Sequence, residues 1–197
     1  MTHDPFWVRL VRDQRLLDIA KLFIGPDIAL FASHYIAKPP GDGQAVLWHQ
    51  DAHYWPLELM EVITIWLALD DSTWENGCLQ VIKGSHRCGR IEHGRFGNQT
   101  GADPKRVDLI LENLEHVYCE MEQGDALFFH ANLLHSSDPN KSDKPRWLMI
   151  CCYNSRHNPC NDLPGHPSYR YMEKWPDDRI VEVGYKQWTE MKSGAED

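Results

Sequence analysis

Trp48-His49-Gln50-Asp51 is answered far downstream by Phe129-His130-Ala131-Asn132-Leu133-Leu134-His135, and then by Arg146. Two imidazoles and one carboxylate on an extended scaffold can hold one face of a metal ion and leave the other face open. That is the donor set of non-haem iron(II) oxygenases. His49 and Asp51 are two apart, so on a strand both side chains point the same way and reach one ion. The third donor must come from another strand. His135 follows Gly124-Asp125-Ala126-Leu127-Phe128-Phe129, a turn running into an apolar strand, and is the first candidate; His130 is the alternative. A bare His-x-Asp is weak evidence. Arg146, eleven residues past His135, strengthens it. A guanidinium at the head of an apolar strand can grip a carboxylate through two parallel hydrogen bonds, and Ser137 can add a hydroxyl. A metal face plus a distant carboxylate clamp suits a 2-oxo diacid, whose keto-acid end chelates while its far end meets the arginine.

Those residues need strands to carry them. Asp4-Pro5 is an N-cap followed by proline at the first helical position. Trp7, Leu10, Val11, Leu17, Ala20 and Ile24 then fall on one stripe with a break midway, and Gly25-Pro26 ends the helix. Residues 27–37 read as a strand, Pro39 to Gly43 as a turn, and Val46 to Asp51 as a short extended piece. Val62 to Leu69 is a strand buried on both faces. Cys78 to Ile82, Val117 to Glu122, Ala126 to His130 and Arg146 to Tyr153 are further strands. Residues 84–104 are polar and read as a long mobile loop over a site; residues 103–114 hold a helical turn or two. After Asn158 the chain is rich in proline and aromatics, with one candidate strand at Ile180 to Val183. Many short strands with helix only at the front predict a mainly β protein, a double-sheet jelly roll. One domain over 1–197 is expected, with a core at about 27–154 and residues 155–197 wrapped around it.

The 197 residues carry 42% hydrophobic and 25% charged side chains, an ordinary globular balance. A net charge of −9 with no basic cluster argues against nucleic acid. No apolar run is long enough for a membrane span. The start does not read as a secretory signal and the end is no peroxisomal address, so a cytoplasmic protein is expected. Six cysteines (Cys78, Cys88, Cys119, Cys151, Cys152 and Cys160) form no Cys-x-x-Cys pair and read as reduced thiols, with a disulfide or zinc site as the alternative.

Three runs carry a family likeness: Trp48-His49-Gln50-Asp51-Ala52-His53-Tyr54-Trp55-Pro56, Asn76-Gly77-Cys78-Leu79-Gln80-Val81-Ile82-Lys83-Gly84-Ser85-His86, and Gly124-Asp125-Ala126-Leu127-Phe128-Phe129-His130. They resemble the phytanoyl-CoA dioxygenase family, iron(II)- and 2-oxoglutarate-dependent oxygenases on a double-stranded, cupin-like β-helix. The likeness spans about Asp27 to Asn154, with the motifs in the family's order. It implies that His49, Asp51 and His135 ligate iron and that Arg146 holds the distal carboxylate of 2-oxoglutarate. It also implies that Ser137, Trp66 and Lys38 line the co-substrate pocket, and it places Gln50 between two ligands, on the co-substrate side. The activity implied is hydroxylation of a small organic molecule with O2, giving succinate and CO2. Because Asp51 is present where halogenating relatives have a small residue, hydroxylation is favoured over halogenation. Two departures stand out: family members usually have a longer section before the first motif, and Lys83 stands where proline is common. An acidic chain also suits a CoA ester poorly.

Other residues stay open at this level. His34 and His53 either face the pocket or pack. His86 serves a turn, and His93 and His116 read as solvated. Tyr54, Trp55 and Trp74 are either core or substrate wall. Arg87, Arg90 and Arg95 either meet an anionic substrate or lie in a solvated loop. The rival functions are a metal enzyme of the same barrel without 2-oxoglutarate turnover, and a ligand sensor.

Overall fold

The computed structural model describes residues 5–41, 44–55, 57 and 61–158. Helices α1 (Pro5–Leu10) and α2 (Gln14–Ile24) open the chain. The break expected between them is made by Asp13, whose carboxylate accepts the Arg15 N–H at 3.0 Å and so starts a new helix. Gly25, at φ 87°, ends α2 in a conformation that L side chains avoid. The proposed cap Asp4 lies outside the described residues.

Ten strands follow: β1 (Ile28–Lys38), β2 (Val46–His49), β3 (Val62–Ala68), β4 (Leu79–Ile82), β5 (His93–Phe96), β6 (Gln99–Ala102), β7 (His116–Cys119), β8 (Ala126–His130), β9 (His135–Ser137) and β10 (Arg146–Ser155). Helix α3 (Pro104–Leu111) sits between β6 and β7. One antiparallel sheet has the order β1-β10-β3-β8 and a second has β2-β9-β4-β7. Two facing four-stranded antiparallel sheets are the double-stranded β-helix expected from the sequence. Among the described residues no helix is long and apolar enough to cross a membrane.

Alternation divides the larger sheet into two faces. Ile63, Ile65, Met149, Cys151 and Tyr153 face outward and pack under Val11, Leu16, Ala20 and Ile24. This is why the strands read as apolar on both sides: one face meets helix, the other meets the opposite sheet. Cys151 goes to the helical layer and its neighbour Cys152 to the interior with Val62 and Ala131. All five described cysteines are free thiols; Cys160 and the candidate strand at Ile180 to Val183 lie outside the described residues.

The expectation of a long mobile loop over 84–104 is corrected. This segment forms a 3-10 turn at Ser85–Cys88 and the hairpin β5-β6. Its glycines serve turns and close approach: a Cβ on Gly101 would stand 3.1 Å from Leu47 Cβ, so the hairpin lies directly on β2. Gln99 reinforces the contact, accepting the Leu47 N–H and donating to the Ala45 carbonyl.

Ile65 is fully buried between the sheet and α2, whereas Leu22 is 82% exposed. Ile65→Ala is expected to lower the free energy of unfolding by about 2–5 kcal/mol, by lost transfer energy plus cavity. Leu22→Ala should stay within about 0.5 kcal/mol. Urea denaturation of both variants checks the assignment of this face.

Candidate metal and anion site

β2 pairs with β9 so that His49 and His135 are direct cross-strand partners. Their rings lie 4.1 Å apart between centroids. Each imidazole is fixed by its own strand: His49 Nδ1–H donates to the Leu47 carbonyl at 2.7 Å, and His135 Nδ1–H to the Leu133 carbonyl at 2.9 Å. With Nδ1 protonated, both Nε2 lone pairs are free and point to one place. Asp51 Oδ1 lies 4.0 Å from His49 Nε2 and 3.6 Å from His135 Nε2. Burial, and next the neighbouring His135, push the His49 imidazole well below the usual histidine range, which keeps it in the neutral form a metal needs. The three donor atoms lie within 4.8 Å of one another, the only such group of three among the described residues. His130 is not part of it. Its Nδ1 accepts the Asn132 N–H, and its ring faces His86.

The geometry around Asp51 differs from the strand expected. β2 stops at His49, and Asp51 begins a 3-10 turn running to Tyr54. The turn is closed by His53 N–H donating to the Gln50 carbonyl and anchored by Ala52 N–H donating to Ala131. The carboxylate is aimed instead by Thr64, whose hydroxyl donates to Asp51 Oδ2 at 2.8 Å and leaves Oδ1 toward the histidines.

At the other end of the barrel Lys38 and Arg146, cross-strand partners on β1 and β10, are 5% and 2% exposed. Lys38 Nζ donates to Ser137 Oγ at 2.8 Å and to the Asp138 carbonyl. Arg146 Nη1 donates to the Gly77 carbonyl at 2.6 Å, and the guanidinium stands 5.6 Å from the Trp66 ring centroid. Arg146 Nε has no hydrogen-bond partner among the described residues, and neither cation has a carboxylate within ion-pair distance there. Burial, then the Arg146 charge, lower the Lys38 ammonium to about 8; burial lowers Arg146 to about 10. Two buried cations with an orphaned N–H call for an anion between them.

Gln50, expected on the co-substrate side, has its side chain fully buried among the protein's own backbone groups. The amide donates to the Gly89 carbonyl at 2.8 Å and to the Asn132 carbonyl at 2.7 Å, and accepts the Ile91 N–H at 2.8 Å. His93 is not solvated: its Nε2 accepts the Gln50 N–H, and its ring stacks 4.2 Å from His53. Arg90 donates to the Ala52 and His53 carbonyls, bracing the same turn, while Arg87 and Arg95 are exposed. Trp55 packs on Phe31; Tyr54 is 46% exposed beside His49, and Trp74 is 53% exposed in an outer loop. The sequence offered no signal for Thr64 or for the hairpin brace, because both depend on which strands meet.

Comparisons agree with this architecture. The phytanoyl-CoA dioxygenase (PhyH) family profile matches residues 1–147. The human peroxisomal phytanoyl-CoA dioxygenase is 33% identical over 178 residues, covering 87% of this chain and 51% of that protein. The ectoine dioxygenase of Bordetella parapertussis is 28% identical over 172 residues, covering 80% of this chain and 56% of its own length. The chain thus spans about half the length of these relatives. The crystal structure of EctD from S. alaskensis with bound Fe superposes with a TM-score of 0.71 at 26% identity, covering 87% of this chain and 64% of that one.

The depressed Lys38 has a consequence for stability. The folded protein releases this proton near pH 8, the unfolded chain near the ordinary lysine value of 10.5. Between those values the unfolded chain keeps the Lys38 proton and the folded one does not, so the Lys38 contribution to ligand-free stability rises with pH across that window. Burial pushes the Cys78 and Cys151 thiols up, which works in the opposite direction above pH 9, so thermal melts between pH 8 and 10.5 should show wild type gaining stability relative to Lys38→Met.

Proposed function

The chain belongs to the phytanoyl-CoA dioxygenase family, and we propose that it is an iron(II)- and 2-oxoglutarate-dependent dioxygenase that hydroxylates a small organic molecule. The observation that carries this reading is the pairing of one His-Asp-His group able to hold a metal with two buried cations that have no ion-pair partner among the described residues. A metal-only enzyme has no use for a buried guanidinium and ammonium in the same barrel; a ligand sensor would use them to bind 2-oxoglutarate but would release no succinate.

His49 Nε2, His135 Nε2 and Asp51 Oδ1 would hold iron(II) by one face. Arg146, Lys38 and Ser137 would hold the distal carboxylate of 2-oxoglutarate, with Trp66 as a wall beneath the guanidinium. Thr64 aims the carboxylate ligand, and Gln50 fixes the backbone between the first two ligands without touching the co-substrate. When bound, iron and 2-oxoglutarate supply the activation of O2, with succinate and CO2 as the co-products. The protein's share is to keep the His49 imidazole neutral, fix the ring orientations, exclude water from the clamp and leave one side open to substrate. Asp51 occupies the third ligand position, which favours hydroxylation over halogenation. The ectoine and phytanoyl-CoA named for the relatives are substrates of those proteins; the acidic balance of this chain favours a small molecule over a CoA ester.

Two variants separate the two ends of the site. Asp51→Ala should abolish tight Mn(II) or Fe(II) binding and 2-oxoglutarate decarboxylation together. Arg146→Ala should weaken 2-oxoglutarate by about 30-fold or more, since a buried charge-assisted contact is worth about 2–5 kcal/mol, while metal affinity changes little. Titrations of metal and co-substrate, with succinate release as the activity readout, check both. Unchanged co-substrate affinity in Arg146→Ala would remove the clamp from this reading.

A further inference from the structure

We infer that His34, which no part of the proposed machinery uses, is a substrate-contacting residue that selects a small molecule bearing a carboxylate. The inference rests on the reading of the site given above.

Among the described residues β1 is one edge of the β1-β10-β3-β8 sheet. Its odd residues face outward: Tyr35 stacks on Trp147 at 4.9 Å and meets Trp7 at 5.3 Å. Its even residues therefore face the barrel interior, as Lys38 does through its bond to Ser137. The register shift in β1 falls between Leu30 and Ala32, so alternation runs unbroken from Ala32 to Lys38.

Cross-strand rows then locate His34. Ala32, Cys152 and Thr64 form one row, and Thr64 holds Asp51. Lys38 and Arg146 pair in another, the anion clamp. His34, Ile150 and Trp66 form a row between them. His34 sits at its outer end, about 7 Å along the strand from the metal row at two residues' rise. Its side chain is exposed and, among the described residues, makes no hydrogen bond or ion pair.

Its inward neighbours on β1 are Ala32 and Ile36, and Ile150 stands beside it. An imidazole is thus the one polar group on an otherwise apolar wall between Ala32 and Lys38. It can donate a hydrogen bond to a carboxylate whose apolar body lies on Ile36 and Ile150. Charge points the same way. A dication on two imidazoles and one carboxylate, with a dicarboxylate between Lys38 and Arg146, leaves the site one unit positive, which attracts an anion.

The test uses the full chain loaded with Mn(II) and 2-oxoglutarate, followed by water-proton relaxation. Short straight-chain and cyclic monocarboxylates are then titrated against their carboxamides by ligand-observed NMR. The expected result is that carboxylates bind about tenfold tighter than amides, a difference of about 1.4 kcal/mol. His34→Leu should lose that preference and His34→Arg should restore it, with Mn(II) and 2-oxoglutarate affinities equal in all three proteins. Carboxylates and amides binding alike, or neither binding the loaded wild type, would overturn the inference. So would a His34→Leu protein that loses affinity for 2-oxoglutarate instead. Failure of Mn(II) and 2-oxoglutarate to load the wild type, seen before any carboxylate is added, would overturn the functional reading itself and this inference with it.

Discussion

The pairing of β2 with β9 is the constraint on which the site depends. It sets His49 opposite His135. Because side chains alternate along a strand, a slip of one residue would turn one imidazole out of the interior. The register is held from several sides. Ser137 pairs with Leu79 and His135 with Val81 on β4. Leu134, fully buried beside Ile82, donates its N–H to Ser85 Oγ at 2.9 Å. The hairpin β5-β6 lies against the other side of β2, so a strand of four residues is held on both edges.

Against that rigid element the third donor is placed by a turn. A carboxylate two residues on along a regular strand would share the face of His49, but it would also share its rigidity. Ending β2 at His49 lets the chain curl at Asp51 and bring Oδ1 close to both imidazoles, while Oδ2 takes the Thr64 hydroxyl. A tight turn beside open solvent needs fixing. Gln50 does this with three hydrogen bonds to backbone from two distant segments, and Arg90 and His93 add two more anchors. The role of the residue between the ligands is therefore to tie three pieces of chain together.

Much of this was legible in the sequence because it is local or periodic. The front helical stretch with its midway break, β1, β3, β8 and β10 follow from apolar stripes and alternating runs, and α3 forms where a helical turn or two was expected. The spacing of His135 and Arg146 picked out the pair that the fold brings to one interior. What was not legible is tertiary in origin. The segment of residues 84–104 is polar and glycine-rich, and composition alone says loop; it becomes a hairpin because β2 offers it a surface. Gln50 read as a co-substrate contact from its position between ligands, yet the backbone groups it satisfies lie about 40 and 80 residues away in sequence. Thr64 gave no signal, since a threonine in an apolar strand reads as β propensity.

The two ends of the barrel are matched in a way that neither shows alone. At one end, two imidazoles and a carboxylate bring three donor atoms close enough to hold a cation. At the other, an ammonium and a guanidinium are buried without a countercharge, which disfavours their charged forms. Separately, each is a destabilised feature that a fold selected only for stability would lose. Together they suit one bridging molecule that carries a chelating head and an anionic tail. The row between the ends runs from Trp66 through Ile150 to His34 on β1, which among the described residues pairs only with β10.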